Sequence, residues 1–182
     1  MEGGIRAWKG VKAESYPESK MAYFTPATKP EEFIALAWYL EHGSQKFYSE
    51  IAGTLNDRPV KDLFQELVVA EEHHQVSLER LYRERSGGKP GSTFPSSVIP
   101  APQAGEMMEG GIRVDEALKW TKGKGLNEIL ELSITLEANS YDLYTLMERK
   151  MEDPGARKVF TSLSDEEQRH LNKLSVLFER VL

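Results

Sequence analysis

Residues 68–81 read VVAEEHHQVSLERL, and the direction in which their two central acids and two histidines face decides the fold. Glu and His on a helix usually lie in water, so a solvated charge run is the ordinary reading. A second stretch overturns it. Shifting the chain by 96 residues lays this segment over SDEEQRHLNKLSVL at 164–177 and lays LEHGSQKFY at 40–48 over LEANSYDLY at 136–144. Across residues 30–84 the shift gives 13 identities in 55 positions. Their placement matters more than their number. The shared positions Phe64, Leu67, Glu71, His74, Leu78 and Leu81 pair with Phe160, Leu163, Glu167, His170, Leu174 and Leu177. Steps of three and four mark one face of a helix. In the preceding helix Leu36, Leu40, Glu41, Ser44 and Tyr48 pair with Leu132, Leu136, Glu137, Ser140 and Tyr144, again along one side.

One Glu and one His therefore lie in the same stripe as the core leucines, twice. A buried ionised carboxylate costs several kcal/mol unless it is paired or bound to a metal. The repeat places four such acids, Glu41, Glu71, Glu137 and Glu167, beside His74 and His170, with no repeated inward Lys or Arg to neutralise them. Two divalent or trivalent cations would. The doublets resolve as well. Glu71 and His74 have the i, i+3 spacing that puts both on one face. Glu72 and His73 map onto Gln168 and Arg169 and are expected on the outer face, and His42, which maps onto Ala138, is expected to be structural or exposed.

Outward from these segments the chain reads as helices. One starts near Pro30, a residue suited to a first helical position, and fades at Gly53. A second covers roughly 60–84, a third about 126–150, and a fourth runs from the Asp153-Pro154-Gly155 stop to the C-terminus. Between the two hairpins lies a Pro/Gly/Ser-rich crossover with no periodicity, too long for a tight connection, with a short helix near 113–120. No strand alternation is evident. Two helical hairpins joined by one long crossover predict an all-α four-helix bundle. The expected organisation is an N-terminal arm, 1–29, with Pro17 and Pro26 as breakers, followed by a bundle domain, 30–182.

The chain has no cysteine, which removes disulfides, thiolate zinc sites, iron–sulfur centres and a cysteine nucleophile. It is compatible with a reducing, cytoplasmic setting. A net charge of -6 argues against nucleic acid or an anionic membrane as partner. The longest apolar run, FIALAWYL at 33–40, is too short to span a bilayer.

A Glu from each of two helices plus Glu-x-x-His from each of the other two resembles the ferritin-like di-iron carboxylate signature, here Glu41, Glu137, Glu71/His74 and Glu167/His170. Within that superfamily the chain looks most similar to rubrerythrin-like proteins, from residue 30 to 182. The resemblance implies a ferritin-like fold and two iron ions per bundle, with manganese or zinc as alternatives. It also implies reduction of hydrogen peroxide or dioxygen. Two departures stand out. The additional glutamate that rubrerythrins carry one turn after the third-helix ligand is Ser140 here, and its repeat partner is Ser44. The four-cysteine rubredoxin module is missing, so an external electron-donor protein is implied. GGIRAW at 3–8 resembles the tail of a rhodanese-like domain; MEGGIR recurs at 108–113 without the tryptophan.

From the geometry of the repeat, Glu71 and Glu167 are expected to bridge two ions. Glu41 with His74 would complete one and Glu137 with His170 the other. Tyr48 and Tyr144, seven residues after Glu41 and Glu137, are expected to hydrogen-bond ligand carboxylates or to pack in the core. Ser44 and Ser140 are expected to leave space beside the metals for water or oxidant. A homo-oligomer, a dimer above all, is expected because Trp8, Tyr23, Phe94, Val98 and Ile99 have no evident place in one bundle. Two other functions fit the same residues: a ferroxidase or iron-storage protein, and a structural bundle whose metal neutralises an acidic core.

Overall fold

The computed structural model describes residues 29–87, 93–101 and 106–181. The arm with Trp8, Tyr23 and the GGIRAW segment lies outside them. The described residues form five α-helices: α1 (Pro30–Thr54), α2 (Arg58–Arg85), α3 (Val114–Thr121), α4 (Leu126–Lys150) and α5 (Pro154–Val181). α1 packs along α2 and α4 along α5, and the two hairpins meet where α2 touches α5.

The repeat extends to the chemistry that starts the helices. Glu32 and Glu128 occupy equivalent positions, and their carboxylates accept from the backbone N–H of Lys29 and Gly125 at 3.1 and 2.8 Å. Asp57 and Asp153 are equivalent too. Each accepts from an N–H three residues on, Val60 at 3.1 Å and Ala156 at 2.7 Å, satisfying a donor that the helix leaves orphaned. Pro30 stands in the first turn of α1, where a missing N–H costs nothing.

Each long helix passes through two apolar clusters and carries its glutamate between them. One cluster gathers Phe47, Tyr48, Ile51, Phe64, Leu67, Leu130, Leu136 and Leu174; the other gathers Ile34, Ala37, Leu78, Leu81, Tyr144, Met147, Phe160 and Leu163. Fully burying one such Leu or Phe is worth about 1.5–3 kcal/mol, and these two caps hold the polar layer shut. Leu36 departs from the expected stripe and is only half-buried.

The crossover differs from its aperiodic reading in two ways. It contains two short strands, β1 (Met107–Met108) and β2 (Ile112–Arg113), paired antiparallel with Met107 opposite Arg113 and Met108 opposite Ile112. Two residues are too few to show alternation. The turn between them, Glu109–Gly111, holds Gly110 and Gly111 at φ 75° and 72°, a left-handed backbone that glycine adopts without strain. Secondly, Phe94 does have a place in its own bundle. It stacks on Tyr82 with ring centres 4.5 Å apart and stands edge-on to Trp38 at 6.2 Å. Val98 and Ile99 are half-buried beside it. Among the described residues no helix is long and apolar enough to cross a membrane.

Candidate metal centre

The polar layer brings all six predicted residues together. Glu41, Glu71, His74 and Glu167 offer ligand atoms that lie within 4.8 Å of one another, and Glu137, Glu167 and His170 form a second such group. Glu167 belongs to both, as a bridging residue must. Glu71 is gathered only into the first, so the twofold pattern of the sequence is realised unevenly. Glu72 and His73 face solvent, and His42 stacks on Trp38 with ring centres 5.3 Å apart.

The decisive geometry is at His74. Its Nδ1 lies 3.1 Å from Glu41, 3.3 Å from Glu71 and 3.1 Å from Glu167. One ring nitrogen can donate to one acceptor, so three converging carboxylates are more than a proton can serve; a cation can serve them all. At His170, Nδ1 lies 3.0 Å from Glu137 and 3.4 Å from Glu167. Glu41 Oε1, Glu71 Oε2 and both oxygens of Glu167 are buried without a hydrogen-bond partner. Among the described residues no lysine or arginine is buried. Carboxylate and imidazole donors of this kind suit iron, manganese or zinc.

Electrostatics carry the same strain. Burial, then the neighbouring Glu71, pushes the Glu41 carboxyl well above the usual carboxylate range. Burial and Glu167 push Glu137 up to about 7. Burial alone would lower both histidines, but the carboxylates around them outweigh it: His170 rises to about 10 and His74 rises well above 6.5. Glu167 is held below the usual range: burial would raise it, but the close His170 and His74 rings outweigh that. Protons thus do part of the work that a cation would do.

Around the cluster, the Tyr48 hydroxyl donates to Glu137 Oε1, one of the two roles foreseen for it. Tyr144 instead packs, edge-on to His74 at 6.4 Å and tilted against Phe160 at 6.0 Å. Ser140 is buried. Ser44 does not border open space: its hydroxyl donates to Glu109, a carboxylate 2 % exposed that arrives from the β1–β2 turn. Burial, followed by repulsion from Glu71, drives the Glu109 carboxyl well upward. A second acid missed by the repeat is Glu166, whose carboxylate lies 3.2 Å from His74 Nε2. The bond from Glu166 fixes the ring so that Nδ1 faces the cluster, and it holds the Glu166 carboxyl below its ordinary range. Glu166 also lines a groove of about 380 Å³ with His73, Arg80, Lys158 and Leu163, and that groove reaches His74 from solvent.

The family model for rubrerythrin matches residues 32–178. This chain belongs to the rubrerythrin family. A solved structure of a hypothetical protein from Pyrococcus furiosus superposes with a TM-score of 0.65 at 20% identity, covering 90% of this chain and 94% of that one. At that identity the likeness speaks for the fold. Among curated proteins none matches significantly. Family and geometry agree on the coarse statement: the chain is a ferritin-like bundle with a buried Glu/His cluster fit for metal.

Proposed function

We propose that this rubrerythrin-family chain is a non-haem di-iron oxidoreductase that reduces hydrogen peroxide or dioxygen. The observation that carries the reading is the single Nδ1 of His74 facing three carboxylates, with a second group sharing Glu167. Glu41 and His74 would hold one ion, Glu137 and His170 the other, with Glu167 and Glu71 between them. When bound, two ferrous ions supply one electron each, which balances H2O2 + 2H+ + 2e− → 2H2O. The protein's own residues set the conditions. Glu166 orients His74, Tyr48 steadies Glu137, and the apolar clusters on either side exclude bulk water. The groove at His74 is wide enough for a small oxidant and lies beside the partly exposed Glu166 carboxylate, which links the cluster to solvent protons.

With no cysteine in the chain, the electrons come from a separate donor protein. We place the protein in the cytoplasm as a homodimer. Val69 and Val76, seven residues apart on α2, remain exposed and suit an interface between copies; light scattering at micromolar concentration checks the assembly. The activity is tested by anaerobic stopped-flow mixing of the ferrous protein with each oxidant. Oxidation of two irons per peroxide, faster than with dioxygen, supports a peroxidase. Faster reaction with dioxygen supports an oxidase or ferroxidase, and no reaction with either leaves a structural metal bundle as the function.

A further inference from the structure

The two halves of the bundle differ at the turn after the first cluster glutamate of each. In α4 the sequence after Glu137 is Ala138-Asn139-Ser140; in α1 the sequence after Glu41 is His42-Gly43-Ser44. Gly43 is where β1 of the crossover meets α1. A Cβ built there would lie 2.0 Å from the carbonyl oxygen of Met107, far inside any permitted contact. The missing side chain lets β1 lie directly on α1. The hairpin then turns through Gly110 and Gly111, and Glu109 at the head of the turn points inward to Ser44. Its other oxygen, Oε1, is buried with no partner.

Position sets Glu109 at the Ser44 face of α1. Ser44 and Tyr48 are four residues apart on α1, hence on one face, and Tyr48 reaches across to Glu137. Glu109 sits within electrostatic reach of Tyr48, Glu71 and Glu167. Tyr48 links this neighbourhood to Glu137, whose group with Glu167 and His170 musters one ligand fewer than the Glu41 group. A glutamine would bond Ser44 equally well without bringing an acid into a layer already crowded with acids. For packing alone the charge is a cost of several kcal/mol; for a cation it is an asset.

We propose that the crossover hairpin delivers Glu109 as a further carboxylate ligand to the metal ion held by Glu137 and His170. The ligand comes from a loop seated on α1, in place of a helical residue at Ser44 or Ser140, and Gly43 makes its approach possible. This inference rests on the metal reading above but can fail separately. Apo-protein is titrated anaerobically with Co2+ alone, following the visible ligand-field absorption and the ions bound per chain. Glu109→Gln is expected to keep the first ion, to weaken the second at least tenfold and to change its absorption. Glu106→Gln, on the same hairpin but solvent-exposed, is expected to change neither. Equal second-ion affinity and equal spectra for wild type and Glu109→Gln would overturn the proposal. Should Glu109→Gln not fold, a Co2+-soaked wild-type crystal decides. A Glu109 oxygen within about 2.0–2.2 Å of an ion, the range usual for carboxylate on a first-row cation, upholds the assignment. Two bound ions with neither Glu109 oxygen within coordination distance of either would overturn it and leave the metal reading intact. Binding of no ion would overturn both.

Discussion

Stripped of metal, this protein should lose stability as pH rises. Glu137 titrates at about 7 in the fold against an ordinary 4.5, first because it is buried and then because Glu167 stands beside it. The folded form therefore binds that proton more tightly than the unfolded chain does. The stability this confers is fully present below about pH 4.5 and is lost as pH climbs through 7. Each tenfold difference in proton affinity is worth about 1.4 kcal/mol, so the loss is on the order of 3 kcal/mol. His170 acts with the same sign. It is raised from 6.5 to about 10 by Glu137 and Glu167 against the effect of burial, so its protonated form stabilises below 6.5 and fades toward 10. Glu137 and His170 share a contact of 3.0 Å, so their contributions are not independent and about 3 kcal/mol stands for the pair. For a chain of this size roughly 2–4 °C accompanies each kcal/mol. Thermal melts of chelator-treated protein should thus show Tm falling by roughly 6–12 °C between about pH 5 and pH 9. In metal-loaded protein the curve should flatten, because the cation replaces the protons and binds better as they leave. Glu137→Gln should remove the part of the slope centred near pH 7. A chelated protein whose Tm is flat or rises over this range, or a Gln variant that keeps the full slope, would refute the reasoning.

Other outcomes follow from single contacts. Gly43→Ala should destabilise by about 1–3 kcal/mol, the usual cost of overpacking, since its Cβ meets the Met107 carbonyl. Gly53→Ala, in the last turns of the same helix with nothing within 4 Å, should gain up to about 1 kcal/mol; urea titration checks both. Phe64→Ala, at the centre of the Tyr48 side of the core and fully buried, should cost about 3–5 kcal/mol in the same assay. Glu166→Gln keeps the contact with His74 but removes its charge, and should weaken Co2+ binding about 10-fold or more by titration with little change in Tm.

The ligand set was legible because it is periodic. Glu41, Glu71, His74 and their partners fall on leucine stripes, and a stripe that repeats after 96 residues separates inward from outward acids in a way one helix cannot. The same duplication also carried the helix starts at Glu32, Asp57, Glu128 and Asp153. Glu109 was not legible. It lies in an aperiodic crossover with no counterpart in the other half, and its burial depends on a loop crossing a helix at Gly43. Two local signals point that way in hindsight: a glycine at the one place where the equivalent turn has Asn139, and the Gly110–Gly111 pair that lets Glu109 head a tight turn. Glu166 escaped notice for a related reason. Its partner in the repeat is Ala70, so the repeat does not mark it, whereas in the fold its carboxylate lies behind the His74 ring. Phe94 was assigned to an interface because its neighbours Trp38 and Tyr82 sit on the outer flank of α1 and α2, where a sequence pattern shows no vacancy.

The proposed chemistry needs a pair of metal ions held by the converging acids and histidines. Elemental analysis of purified protein reconstituted with ferrous iron tests it most directly, comparing wild type with Glu71→Ala/Glu167→Ala and with Glu72→Ala/His73→Ala. Two ions per chain are expected in wild type and in the outer-face variant, and less than half of that when Glu71 and Glu167 are removed. No stoichiometric metal in wild type, or equal losses from the inner and outer pairs, would contradict it.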